Sequence, residues 1–88
     1  MSGRVEGKVC LITGAAMGLG FADAKLLHEE GATVVLTDID PVGESAATSI
    51  GERASFMRHD VSNEDEWIDV IAAVKEQHGR LDVLVNNA

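Results

Sequence analysis

From the ninth residue the chain reads Val9-Cys10-Leu11-Ile12-Thr13-Gly14-Ala15-Ala16-Met17-Gly18-Leu19-Gly20, and the architecture follows from how those twelve residues behave. The first four form a continuous apolar run, the kind found in strands buried on both faces of a parallel sheet. The glycine turn behind it opens a helix, where free backbone N–H groups and the positive end of the helix dipole favour an anion. Gly14 lets the chain turn sharply as it leaves the strand, and Gly18 removes a side chain where backbone must approach a phosphate. Gly20 lets the new helix lie close to the sheet. The spacing is Gly-x-x-x-Gly-x-Gly, a variant of the dinucleotide fingerprint Gly-x-Gly-x-x-Gly.

Working outward, strands and helices alternate to the end of the chain. Lys8 to Thr13 is the first strand, and a helix from about Gly18 to Glu30 follows, with Leu19, Ala22, Leu26 and Leu27 as its expected apolar stripe. Gly31 stops that helix, and Thr33 to Asp38 gives a second strand. Asp40-Pro41 is expected to start the next helix, with a capping carboxylate and a proline at the first helical position, and Ile50-Gly51 to end it. Ala54 to His59 is a less hydrophobic third strand, suited to a sheet edge. Ser62 is expected to cap the third helix, with Asp65 three residues on. Along it Trp67, Val70, Ile71 and Val74 recur at i, i+3, i+4 and i+7, so this face must bury against something. Gly79 closes that helix, and Leu81 to Asn86 reads as a fourth strand. The order βαβαβαβ implies right-handed crossovers and a parallel α/β sheet.

Thr13-Gly14-x-x-x-Gly18-x-Gly20, then Asp38, then Asp60-Val61, then Asn86-Asn87-Ala88 resembles the classical short-chain dehydrogenases/reductases, four motifs in the family's order over nearly the whole chain. The stretch from Gly51 through Asp60-Val61 to Trp67 further resembles bacterial 3β/17β-hydroxysteroid and cyclic-alcohol dehydrogenases. The resemblance implies a Rossmann-type doubly wound sheet of spatial order 3-2-1-4. Ligands bind in such sheets at the crevice where the strand order reverses, so Thr13 to Gly20 and Asn86 to Ala88 should converge on one mouth. It also implies that the threonine stabilises the glycine turn, that Asp38 selects NAD over NADP, that Asp60-Val61 contacts adenine, and that Asn86-Asn87-Ala88 runs along the cofactor's ribose side.

Charge supports the same cofactor. Asp38 would accept from the 2′- and 3′-hydroxyls of adenosine and repel a 2′-phosphate. NADP-selecting members of the family carry Arg or Lys before the second glycine or after strand 2, where this chain has Met17 and Ile39, neither able to pair with a phosphate. Other readings stand beside these. Asp38 could simply cap the turn that follows, Asp60 could begin the turn into Ser62, and Asn86-Asn87 could be a plain strand-ending turn. Asn87 is the residue expected to touch cofactor directly, with Asn86 holding neighbouring backbone.

The family's serine, Tyr-x-x-x-Lys pair and further asparagine lie beyond the Asn-Asn-Ala segment, and this chain of 88 residues contains no tyrosine. The expectation is therefore that residues 1–88 are an incomplete NAD-binding portion without catalytic residues, inactive alone, within a longer dehydrogenase for a secondary alcohol or ketone. Two alternatives are a catalytically silent NAD-binding module and an S-adenosylmethionine-dependent methyltransferase. The latter fits worse because Thr13 stands where that turn carries an acid.

A net charge of −8 argues against a nucleic-acid partner, which would need clustered Lys and Arg. There is no long apolar run and no basic, apolar leader, so a soluble cytoplasmic protein is expected, with no membrane partner. Resemblance implies a homo-oligomer, commonly a tetramer. Cys10, the only cysteine, reads as a small buried thiol, and His28, His59 and His78 share no metal-ligand spacing, so no metal is expected.

Overall fold

The computed structural model describes residues 5–87, so the expected contribution of Ala88 lies outside the described residues. Seven elements follow in order: β1 (Val9–Thr13), α1 (Gly18–Glu29), β2 (Thr33–Asp38), α2 (Gly43–Ile50), β3 (Ala54–Arg58), α3 (Glu64–His78) and β4 (Val83–Val85). The strands form one parallel sheet in the order β3-β2-β1-β4, as the family resemblance implies. Leu11 lies opposite Val35 on one side and Leu84 on the other, which sets the register of the central pair.

Strand alternation divides the core into two layers. Cys10, Ile12, Val34 and Leu36 face α1 and α2, where Ala24, Ala32 and Ala47 are buried with them. Val9, Leu11 and Val35 face the other way, onto Val70 and Val74 of α3, with Trp67, Ile71, Met57 and Leu81 packed around them. The central strands are thus apolar through Val9–Ile12 and Val34–Leu36 because both faces are covered, and the periodic face of α3 is buried as its spacing requires. Cys10 is one of these core residues, and burial pushes its thiol pKa up.

Four local expectations are corrected. The stripe of α1 is not Leu19-Ala22-Leu26: Leu19 is 74% exposed and Leu26 56%, whereas Gly20 and Ala24 are buried and Leu27 is partly so. The helix lies so close to the sheet that small residues must face it; a Cβ on Gly20 would collide with the Gly14 carbonyl oxygen. Asp40-Pro41 forms a turn ahead of α2 rather than its first residues, with Gly43 N–H donating to the Asp40 carbonyl at 3.1 Å and Val42 N–H to Asp40 Oδ1 at 3.0 Å. The cap of α3 is Asn63, whose Oδ1 accepts from Glu66 N–H at 3.2 Å. Ser62 is unavailable for that role because its hydroxyl and N–H both donate to Asp60 Oδ1, at 2.6 and 3.0 Å. Finally β4 is shorter than expected at both ends, Val83–Val85: before it Val9 N–H donates to the Asp82 side chain at 2.8 Å, and beyond it Thr13 and Asn86 meet through their side chains.

No helix among the described residues is long and apolar enough to cross a membrane.

Candidate functional site

The carboxyl ends of β1, β2, β3 and β4 deliver four segments to one mouth. β1 ends in Thr13, fully buried, whose Oγ1 donates to Asn86 Oδ1 at 2.9 Å and accepts from Asn87 N–H at 2.9 Å. A residue pair 73 positions apart is thereby locked across the two strand ends. Gly14 and Gly18 carry the turn at φ +61° and +65°, the left-handed region that other residues occupy only at a cost. Gly20 is required twice over: besides Gly14, a Cβ there would meet Asn87 Nδ2 at 2.9 Å.

The N-terminus of α1 differs in chemistry from that of α3. Met17 at the N-cap makes no side-chain hydrogen bond and the first turn holds no acid. In α3, Asn63 caps and Glu64, Asp65 and Glu66 fill the first turn. The backbone amides at the start of α1 therefore have no side-chain cap, and they end a helix whose dipole is positive there. Those residues fit a pyrophosphate by their donor set.

Asp38 ends β2 beside this turn. Its Oδ2 accepts from Ala16 N–H at 3.0 Å and its Oδ1 from Asp40 N–H at 3.0 Å, while its carbonyl accepts from His59 N–H at 3.0 Å. The turn-capping role considered from sequence is thus present, on Asp40. A carboxylate has about four lone-pair sites, so these contacts leave capacity for hydroxyl donors.

β3 delivers His59, Asp60 and Val61. Asp60 Oδ1 takes the two Ser62 bonds, which hold its carboxyl below the usual range, with lesser help from the charges of Arg58 and His59. Its N–H donates to Glu66 Oε1 at 2.9 Å, and Val61 carbonyl accepts from Trp67 Nε1 at 2.7 Å. The turn reading of Asp60 is therefore also realised. Together Gly14, Asp38, Ile39, His59, Asp60 and Val61 line a small pocket of about 100 Å³. A more open groove of about 410 Å³ runs beside it between α1 and α2, past Met17, Phe21, Val42 and Ser45. Neither lining contains a Lys or Arg. Ile39 and Met17, which line these openings, are exposed, and so is Leu19, which lines neither.

Sequence reasoning passed over His59 except as a metal ligand. It is 1% exposed, with Nδ1 and Thr37 Oγ1 3.2 Å apart and its ring edge-on to Trp67 at 4.4 Å between centroids. Burial pushes its pKa down, partly opposed by Glu66 and Asp60. The available signal was strand alternation, since Ser55, Met57 and His59 fall on one face and Met57 packs toward α3. No group of three or more His, Cys, Asp or Glu able to hold a metal occurs among the described residues.

Residues 8–88 match the family described as short chain dehydrogenase. The chain belongs to the short-chain dehydrogenase family. Enzymes of this family are oxidoreductases that use nicotinamide cofactors, and membership leaves the methyltransferase alternative without support. The chain is 51% identical to a 3-beta-hydroxysteroid dehydrogenase of Comamonas testosteroni, over all of its own length and 35% of that protein's. It is 48% identical to tropinone reductase-like 2 of Erythroxylum coca, over 97% of itself and 31% of the relative. Against a cyclopentanol dehydrogenase of Comamonas testosteroni the identity is 44%, over 98% and 36%. The chain spans about a third of the length of the curated relatives it matches.

Proposed function

We propose that residues 1–88 are the NAD-binding portion of a cytoplasmic dehydrogenase that moves hydride between NAD and a secondary alcohol or ketone carried on a ring. The observation that carries this reading is the meeting, at one sheet mouth, of an uncapped α1 N-terminus, the Asp38 carboxylate, and pocket linings with no cation. The amides after Met17 hold the pyrophosphate, with Gly14, Gly18 and Gly20 clearing its approach. Asp38 accepts from the adenosine ribose hydroxyls and excludes a 2′-phosphate, which would meet like charge with no Lys or Arg to offset it. Asp60 and Val61 face adenine, Asn87 meets the cofactor, and Asn86 holds Thr13.

When bound, NAD supplies the hydride acceptor; this portion binds it, orients it and keeps its reactive end at the crevice between β1 and β4. Catalytic side chains that move the alcohol proton belong elsewhere in the enzyme. A ring-borne substrate is supported by the relatives' names, which include a hydroxysteroid and a cyclopentanol dehydrogenase. The test is oxidation of cyclopentanol and a 3β-hydroxysteroid by the protein at its natural length, followed by NADH absorbance. Turnover with NAD supports the proposal; an absence of turnover with either alcohol, and with the matching ketones and NADH, rejects it.

A further inference from the structure

We propose that Asp38 is also a positioning residue: its carboxylate holds the glycine turn in a phosphate-ready shape before any cofactor arrives. This deepens the cofactor reading above and rests on it.

The turn between β1 and α1 is tied to the end of β2 at two successive amides. Ala15 N–H donates to the Thr37 carbonyl at 3.1 Å, and Ala16 N–H donates to Asp38 Oδ2 at 3.0 Å. Met17, the N-cap of α1, follows at once, so the second tie lies two residues before the first of the amides that would cradle a pyrophosphate. The first tie is backbone to backbone and does not depend on the side chain at position 38. The second depends wholly on the side chain at position 38. Its other oxygen is fixed by Asp40 N–H at 3.0 Å, so the carboxylate is held in orientation as well as in place. Both bonds are charge-assisted, the stronger class of hydrogen bond.

The geometry lets one carboxylate serve two tasks at once. Two of its roughly four acceptor sites hold backbone, and the remaining two are free for the 2′- and 3′-hydroxyls. Exchanging Asp38 for a neutral residue therefore removes the repulsion toward a 2′-phosphate and loosens the phosphate turn in the same step. It follows that removing this charge yields less NADP affinity than the charge alone predicts, because NADP needs the same turn.

The test separates the hydroxyl contact from the turn. Hydrogen–deuterium exchange without ligand, read by mass spectrometry with fragmentation that resolves Ala16 and Asp40, compares the parent protein with Asp38→Ala and Asp38→Asn at natural length. Calorimetry then gives the affinities of ADP and of 2′,3′-dideoxy-ADP, which lacks both hydroxyls. The expected result for Asp38→Ala is exchange at Ala16 faster by about tenfold or more, the size of a lost charge-assisted bond. Dideoxy-ADP, with no hydroxyl to lose, should still weaken by roughly fivefold as the turn must be ordered on binding.

Asp38→Asn has one carbonyl oxygen for two donors, so Ala16 and Asp40 should not both keep parental protection. This variant preserves side-chain size and answers the question if the alanine variant fails to fold. Parental protection at both amides in Asp38→Asn, or unchanged dideoxy-ADP affinity in Asp38→Ala, overturns the positioning role. A parent protein that binds neither nucleotide, with Ala16 still deprotected by substitution, overturns the cofactor reading while leaving the tie between Asp38 and the turn intact.

Discussion

Thr13 Oγ1 donates to Asn86 Oδ1 at 2.9 Å and so joins the end of the first strand to the end of the last. The same oxygen accepts from Asn87 N–H, so a single buried hydroxyl is used in both directions. Valine has the same shape and neither capacity. Thr13→Val should lower stability by about 1–2 kcal/mol in urea denaturation, whereas Thr13→Ser should retain most of it. A valine variant as stable as the parent would show that the lock between the two strand ends contributes nothing.

Gly20 distinguishes close approach from conformational freedom. It is helical, so alanine is favoured there on propensity alone, yet its Cβ would run into the Gly14 carbonyl and Asn87 Nδ2. Gly20→Ala should cost about 1–3 kcal/mol through overpacking and weaken nucleotide binding, because the atoms it displaces belong to the turn. Leu19→Ala, on an exposed neighbour, should stay within about 0.5 kcal/mol. Thermal denaturation of the pair reads the difference, and equal stability of the two variants would contradict the packing described.

The order of elements was legible because the buried parallel strands carry unbroken apolar runs, Val9–Ile12 and Val34–Leu36, and α3 repeats at helical spacing. Asp38, Asp60 and Asn86 were legible as strand-end residues, and the topology brings them to one mouth. The face of α1 was not legible. Hydrophobicity selects its leucines, but the distance of helix from sheet selects Gly20, Ala24 and the side of Leu27, and that distance is a tertiary quantity. The caps were misread for a related reason: Ser62 satisfies the cap pattern, but the carboxylate two residues earlier captures it first. His59 carried no motif at all, since its role comes from what α3 places beside it.

The two candidate caps of α3 can be ranked directly. Asn63→Ala removes the acceptor of Glu66 N–H and should cost about 1 kcal/mol. Ser62→Ala removes only an exposed bond to Asp60 and should cost less. Denaturant midpoints that ranked the two variants the other way would return the cap to Ser62.

Acid should weaken the fold in a definite order. The His59 pKa is lowered from 6.5 in the folded chain, chiefly by burial, so the unfolded chain takes up the proton first. Where the unfolded state binds more protons, stability rises with pH. The His59 contribution is therefore complete above about 6.5 and is lost as pH falls below it, toward the lower folded value. Asp60 and Asp82, with pKa values lowered from 3.8 by hydrogen bonds from Ser62 and from Arg80, add their losses only as pH falls below that. His59→Gln should flatten the first step and leave the second. A parent protein whose stability holds level from pH 7 to pH 5 would contradict this assignment.

The affinities of NAD and NADP, measured side by side by calorimetry on the parent protein and on Asp38→Ala, bear most directly on the central claim. The parent should bind NAD at least about tenfold more tightly than NADP, a difference of about 1.4 kcal/mol, and Asp38→Ala should narrow that gap while weakening NAD. Equal affinities in the parent would contradict the proposed cofactor, and a gap that Asp38→Ala leaves unchanged would contradict the role given to Asp38.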